Sequence, residues 1–250
     1  MRTLTQVWVF FGALTFLFIF IGFQLMGRLG LFVAFLISLF IVYATLHRGL
    51  KLFRKKLNAK EFSGNDPSGF LAALEHDKAK FGFNKVSVYT TEHNTPPLIW
   101  KNKPNEAHLI FNFRLLENLN TDEIRLLALL VLSHLENRSF LITPILSVIN
   151  QSFFNFNMFS IFLSTVVTFI FNTRSEIIKS DVRFKNASEA SSYEIGFFIN
   201  KLHKFDFHLY KKKLGTEYFS VLSLKNDSLL NRYGIPGLNI RLQNIMGFKV

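Results

Sequence analysis

The chain has 250 residues, of which 49% are hydrophobic, no cysteine, and a formal net charge of +12. The missing cysteines exclude a disulfide framework and agree with a reducing compartment. The charge would suit nucleic acid, but the basic residues gather beside apolar runs and no RNA- or DNA-reading motif accompanies them; anionic lipid headgroups are the simpler partner.

The first element is apolar. Residues 7 to 26, VWVFFGALTFLFIFIGFQLM, carry no charged side chain, and at 1.5 Å per helical residue they are long enough to cross a hydrocarbon layer of about 30 Å. A second uncharged run, residues 29 to 46, follows after only Gly27 and Arg28. The pair reads as a transmembrane helical hairpin. A cleaved leader is the competing reading, but the first run is too long and lacks an A-x-A-like exit. His47, Arg48, Lys51, Arg54, Lys55, Lys56 and Lys60 follow with no acidic residue before Glu61. This is the charge excess of a cytoplasmic flank, so both ends of the hairpin are expected in the cytoplasm.

Residues 62 to 69, FSGNDPSG, form a turn-rich linker, and the spacing of FLAALEHDKAKFGF predicts a helix ending near Gly82. Three strands are then expected, in KVSVYTTE, in PLIW after Pro96 and Pro97, and in AHLIFNF. Asn120 with Glu123 three residues later, just ahead of an apolar run, is the pattern of a reciprocal helix cap. The helix behind it is apolar nearly all round from Leu126 to Leu132, so burial on every side is expected.

Hydrophobic sequence returns over residues 140 to 150 and 154 to 172. The second stretch can cross a membrane. The first is short and carries Pro144, so the two read as a second hairpin, with a re-entrant or interfacial course for residues 140 to 150 as the alternative. Residues 174 to 214 are helical in pattern, with Lys201, Lys204 and Lys211 to Lys213 expected on a solvated face. A short closing helix follows Pro236 and Gly237.

These residues resemble the HtpX-like family of membrane zinc metallopeptidases, relatives of the CAAX prenyl endopeptidases. The family's central helix runs L-N-x-D-E-L-x-A-V-L-A-H-E-L-x-H-x-x-N-R-D, and Leu119, Asn120, Asp122, Glu123, Leu132, His134, Asn137 and Arg138 match it without a gap. The order of elements fits along nearly the whole chain. The family's H-P-P-x-x-x-R-I-x-x-L tail is echoed by Pro236, Arg241 and Ile245, with Ile235 in the histidine position.

The chemistry that the resemblance implies is eroded. In active members two helix histidines and a later glutamate hold zinc, and the glutamate of H-E-x-x-H deprotonates the attacking water. Here Leu130 and Val131 stand where the first histidine and that glutamate belong, and only His134 survives. In the later segment RSEIIKSD, Ser180 and Asp181 match, but Ile177 takes the ligand position and Glu176 lies one residue off. A one-residue slip turns a helical side chain by about 100°, and only a local π-bulge would restore Glu176 to the site.

A catalytic zinc ordinarily takes three protein ligands and a water. His134, Glu176 and Asp181 are therefore only residual metal candidates, no catalytic residue is expected, and no cofactor either unless zinc is held unconventionally. Leu130, Val131 and Ile177 are all aliphatic and the family geometry would bring them together, so the vacant site is expected to be refilled with core. A buried His134 needs a partner, either Asp181 or a main-chain carbonyl.

The expected fold class is α+β: an integral membrane protein, mainly helical, with a zincin-like cytoplasmic domain containing a small β-sheet. Its parts would be a transmembrane hairpin with basic flank (1–60), a zincin-like part with the degenerate helix (61–139), a second hydrophobic hairpin (140–173) and a helical C-terminal part (174–250). The expected function is that of a catalytically inactive metallopeptidase homologue in a bacterial inner membrane. It would bind extended polypeptide at Pro97, Leu98, Ile99 and Trp100 by strand addition, or regulate an active membrane peptidase in membrane-protein quality control. The alternative is a working zinc endopeptidase with a non-standard site.

Overall fold

A glycine reverses the N-terminal helix. In the computed structural model, which describes residues 2–62, 66, 68–137, 173–205, 220–222 and 236–247, α1 (Arg2–Lys56) is broken at Gly27, whose φ of 61° and ψ of −139° lie outside the helical region. The two arms fold back on each other. Ser38 Oγ donates to Thr15 Oγ1 at 3.2 Å across the arms. Gly22 and Gly30 pack so closely that a Cβ on either would run into the other's backbone carbonyl.

By length and composition the stretch Thr15–Phe40 meets the requirement for a membrane-crossing helix, although it runs through the reversal at Gly27 and so belongs to both arms. Its side chains face outward, with Phe16 72% and Phe40 67% exposed.

Beyond the hairpin the chain is a mixed α+β structure. β1 (Lys60–Glu61), β2 (Lys85–Thr90), β3 (Leu98–Lys103) and β4 (Glu106–Phe111) form one sheet in the order β1-β2-β4-β3. β1 runs antiparallel to β2, β2 parallel to β4, and β3 antiparallel to β4 with an irregularity between Lys101 and Lys103. β1 was not expected from the sequence: two exposed residues are too short to show a period. The PLIW strand runs on to Lys103 because it forms a hairpin with β4 through Pro104 and Asn105.

Alternation along the strands gives the sheet two buried faces. Val88, Ile99, Ala107, Leu109 and Phe111 join the main core, while Tyr89, Leu98, Trp100 and Ile110 pack with Leu57 on the other side. α2 (Phe70–Asp77) continues as a 3-10 turn over Lys78–Phe81 and ends at Gly82 in the left-handed region (φ 74°), as its spacing predicts. After the short α3 (Arg114–Glu117), α4 (Thr121–Asn137) runs through the centre. Leu127 to Leu135 are all buried, as an all-round apolar helix requires.

The predicted cap is present in full: Glu123 N–H donates to Asn120 Oδ1 at 2.8 Å, and Asn120 N–H donates to Glu123 Oε2 at 2.9 Å. Two helices replace the single pattern read over residues 174 to 214. α5 (Thr173–Ala187) ends before Ser191, which opens α6 (Ser192–Lys204) with a second capping box to Glu194. Lys201 is not simply solvated; its ammonium bonds both oxygens of Glu123 at 2.7 Å and ties α6 to the start of α4. α7 (Leu238–Met246) is the closing helix. The second hydrophobic hairpin and Lys211 to Lys213 lie outside the described residues.

Candidate functional site

α4 and α5 pack side by side, and α7 packs on α5 and α6 with Arg241 reaching toward α4. At their junction three charged or polar side chains are sealed from solvent: His134 from α4 is 1% exposed, Asp181 from α5 0%, and Arg241 from α7 1%. Arg241 Nε donates to Asp181 Oδ2 at 2.8 Å, and Nη2 donates to Oδ1. This is a two-pronged guanidinium–carboxylate pair, the geometry in which such a bond is strongest. Nη1 donates to the carbonyl of Val221 at 2.8 Å.

His134 completes the cluster. Its Nε2 lies 3.1 Å from Asp181 Oδ1 and 3.1 Å from Arg241 Nη2. A guanidinium can only donate and an ionised carboxylate can only accept. With a proton on Nε2 the ring donates to Asp181; without one it accepts from Arg241. Asp181, one of the two partners open to His134 from the sequence, thus lies within hydrogen-bond reach of the ring, and so does Arg241.

Burial alone would raise the Asp181 pKa. The charge and hydrogen bonds of Arg241, helped by His134, overcome that and hold it at about 2. The carboxylate is thus ionised across the physiological range, neutralised by a permanent cation.

Leu130 and Val131 are fully buried members of the main core. Ile177 is buried too, but it is not part of the cluster that Leu130 and Val131 join. The core cluster thus takes in the two α4 positions and not Ile177, and it is Arg241 that stands beside His134. Glu176 stays off the site, since α5 is α-helical from Thr173 to Ala187 with no bulge to shift its register. Ser180 Oγ donates back to the Glu176 carbonyl at 2.8 Å, one turn earlier. Glu136 turns away from His134 and accepts from Arg183 Nε at 2.9 Å.

Among the described residues, the surroundings of His134 Nε2 do not fit a catalytic zinc. Zinc binds an imidazole nitrogen at about 2.0–2.1 Å, and Nε2 of His134 has a guanidinium nitrogen 3.1 Å away. A dication there would meet a fixed positive charge, and both Asp181 oxygens are already committed to Arg241. No group of three His, Cys, Asp or Glu side chains suited to a metal occurs among the described residues.

Two bases at least half-buried in the sheet, Lys101 and His108, were given no role by the sequence reading. Lys101 on β3 donates to the Glu136 carbonyl at 2.9 Å and lies over the Phe83 ring; burial lowers its pKa to about 8, against the opposing pull of Glu136 and Glu176. His108 on β4 stacks on Trp100, with ring centres 5.3 Å apart, and on Tyr89 at 5.9 Å. Burial pushes its pKa down to about 4. Neither residue belongs to a motif, so only cross-strand register could have revealed them.

Pro97, Leu98, Ile99 and Trp100 lie at the start of the edge strand. All four are buried, Leu98 and Trp100 on one face and Ile99 on the other. Their outer main-chain edge is partly taken, because Leu98 forms an antiparallel bridge with Ser220. Comparison of the chain with protein-family models, with curated proteins and with solved structures found no match.

Proposed function

We propose that this chain is a catalytically silent homologue of the HtpX-like membrane metallopeptidases, anchored by its N-terminal hairpin and binding extended polypeptide along the β3 edge. The observation that carries the reading is the buried Arg241–Asp181–His134 cluster. A protein that hydrolyses peptides through zinc needs an exchangeable coordination position and a base beside it. Here a guanidinium stands against the one surviving ligand nitrogen, and aliphatic Leu130 and Val131 fill the positions of the lost ligand and base.

Membrane anchoring is supported by the outward-facing apolar surface of Thr15–Phe40, which in water would leave many large side chains solvated. The basic run after the second arm favours the cytoplasm and anionic headgroups on that side.

Metal analysis tests the silent site. Protein purified in detergent with zinc added and excess removed should retain well under one zinc per chain, with no change on His134→Ala. Near-stoichiometric zinc that His134→Ala abolishes, together with chelator-sensitive cleavage of an unfolded protein, would establish the endopeptidase instead.

A further inference from the structure

The edge strand β3 already carries a partner drawn from its own chain. Besides the Leu98–Ser220 bridge, the Val221 N–H donates to the Pro97 carbonyl at 3.0 Å. Ser220, Val221 and Leu222 are all buried, and a local turn in which Leu222 N–H donates to Ser220 Oγ at 3.0 Å shapes them. Val221 is gripped on both sides of its peptide unit: its N–H by the sheet edge, its carbonyl by Arg241 Nη1 at 2.8 Å. The remaining donors of that guanidinium in the cluster go to Asp181 and reach His134.

We propose that Ser220–Leu222 is an internal occupant of the β3 edge, latched by Arg241 to the Asp181–His134 pair, and that an incoming extended polypeptide must displace it. The inference rests on the reading of β3 as a polypeptide-binding edge. A strand edge offers one row of main-chain donors and acceptors, so the resident segment and a guest compete for the same groups at Pro97 and Leu98. Displacement also costs Arg241 a partner, because a buried Nη1 loses its acceptor when Val221 leaves. The former metal position thereby becomes a device that sets how readily the edge opens. Arg241 acts here as a positioning residue and touches no guest.

The chain has no native cysteine, so Leu98→Cys with Ser220→Cys provides a single lockable pair at two residues that already face each other in antiparallel register. The full chain in detergent is titrated with fluorescein-labelled, reduced and carboxymethylated α-lactalbumin, a thiol-free unfolded polypeptide, and binding is read by anisotropy. The oxidised protein should bind at least tenfold more weakly than the same sample reduced. Val221→Pro, which removes the N–H given to Pro97, should bind at least tenfold more tightly than wild type. In Arg241→Lys the Val221 amide should exchange hydrogen at least tenfold faster, while amides of Leu130 to Leu132 keep their protection. Equal binding by oxidised, reduced and Val221→Pro proteins overturns the internal occupant while leaving polypeptide binding intact. Unchanged exchange at Val221 in Arg241→Lys overturns the latch. Absence of binding by every form removes the polypeptide-binding reading, and the inference with it.

Discussion

Asp181 and Arg241 have to be judged as a pair, because each is tolerated in the core only through the other. Asp181→Asn removes the charge that neutralises a guanidinium 1% exposed, and breaking a buried pair from one side costs about 3–5 kcal/mol. The double variant Asp181→Asn with Arg241→Met removes both members of the ion pair and should recover a large part of that loss. Denaturant unfolding of the two variants in detergent checks this; a double variant as unstable as the single would mean that the ion pair itself, not the stranded charge, carries the stability. His108 provides a second residue-scale test. Its pKa falls from 6.5 to about 4 on folding, so between those values the unfolded chain binds a proton that the folded chain refuses. Stability therefore drops as pH falls from 6.5 toward 4. His108→Phe, which keeps a ring for Trp100 and Tyr89, should flatten the apparent Tm over that window. Asp181, with its pKa lowered to about 2, contributes stability above pH 4 that is lost as pH falls through 2, in wild type and His108→Phe alike.

Among the elements, the hairpin shows how small side chains determine an arrangement. An antiparallel pair of apolar helices gains little from burial when the surroundings are themselves apolar, so close backbone approach and interhelical hydrogen bonds have to hold it. Gly22 and Gly30 supply the approach, and Ser38 with Thr15 supplies a hydrogen bond. Gly22→Ile should push the arms apart. In an otherwise cysteine-free chain, Thr15→Cys with Ser38→Cys should form a disulfide readily, and adding Gly22→Ile should suppress it. Equal cross-linking with and without Gly22→Ile would mean that the arms are not held at this crossing. α4 is governed by the opposite economy. Its reciprocal cap satisfies donors at the start, Lys201 bridges that cap to α6, and apolar residues on every side leave it no orientation except a central one.

At the scale of the whole molecule, the separate layers are joined by polar links that cross the chain at long range. Arg241 connects α7 to α4, α5 and the Ser220–Leu222 segment, and that segment connects to β3. Lys101 connects β3 back to the end of α4. Two hydrogen bonds, both on Val221, thus link Arg241 to the sheet edge.

What the sequence by itself determined is local: the apolar arms and their reversal at Gly27, the Asn120–Glu123 cap, the buried α4 with aliphatic Leu130 and Val131, and the strands β2, β3 and β4. Each follows from spacing or residue type within a few turns of chain. Asp181 as the partner of His134 was one of two legible options. The part of Arg241 was not legible, because nothing in a tail that echoes a family pattern says which buried charge it meets 60 residues away. The Ser191 cap inside an apparently continuous helical pattern, the pairing of Lys201 with Glu123, and the covering of the PLIW edge by Ser220 were also decided only by the tertiary structure. Long-range hydrogen bonds between charged groups have no sequence period, and only the packing of α4, α5 and α7 brings their partners into reach.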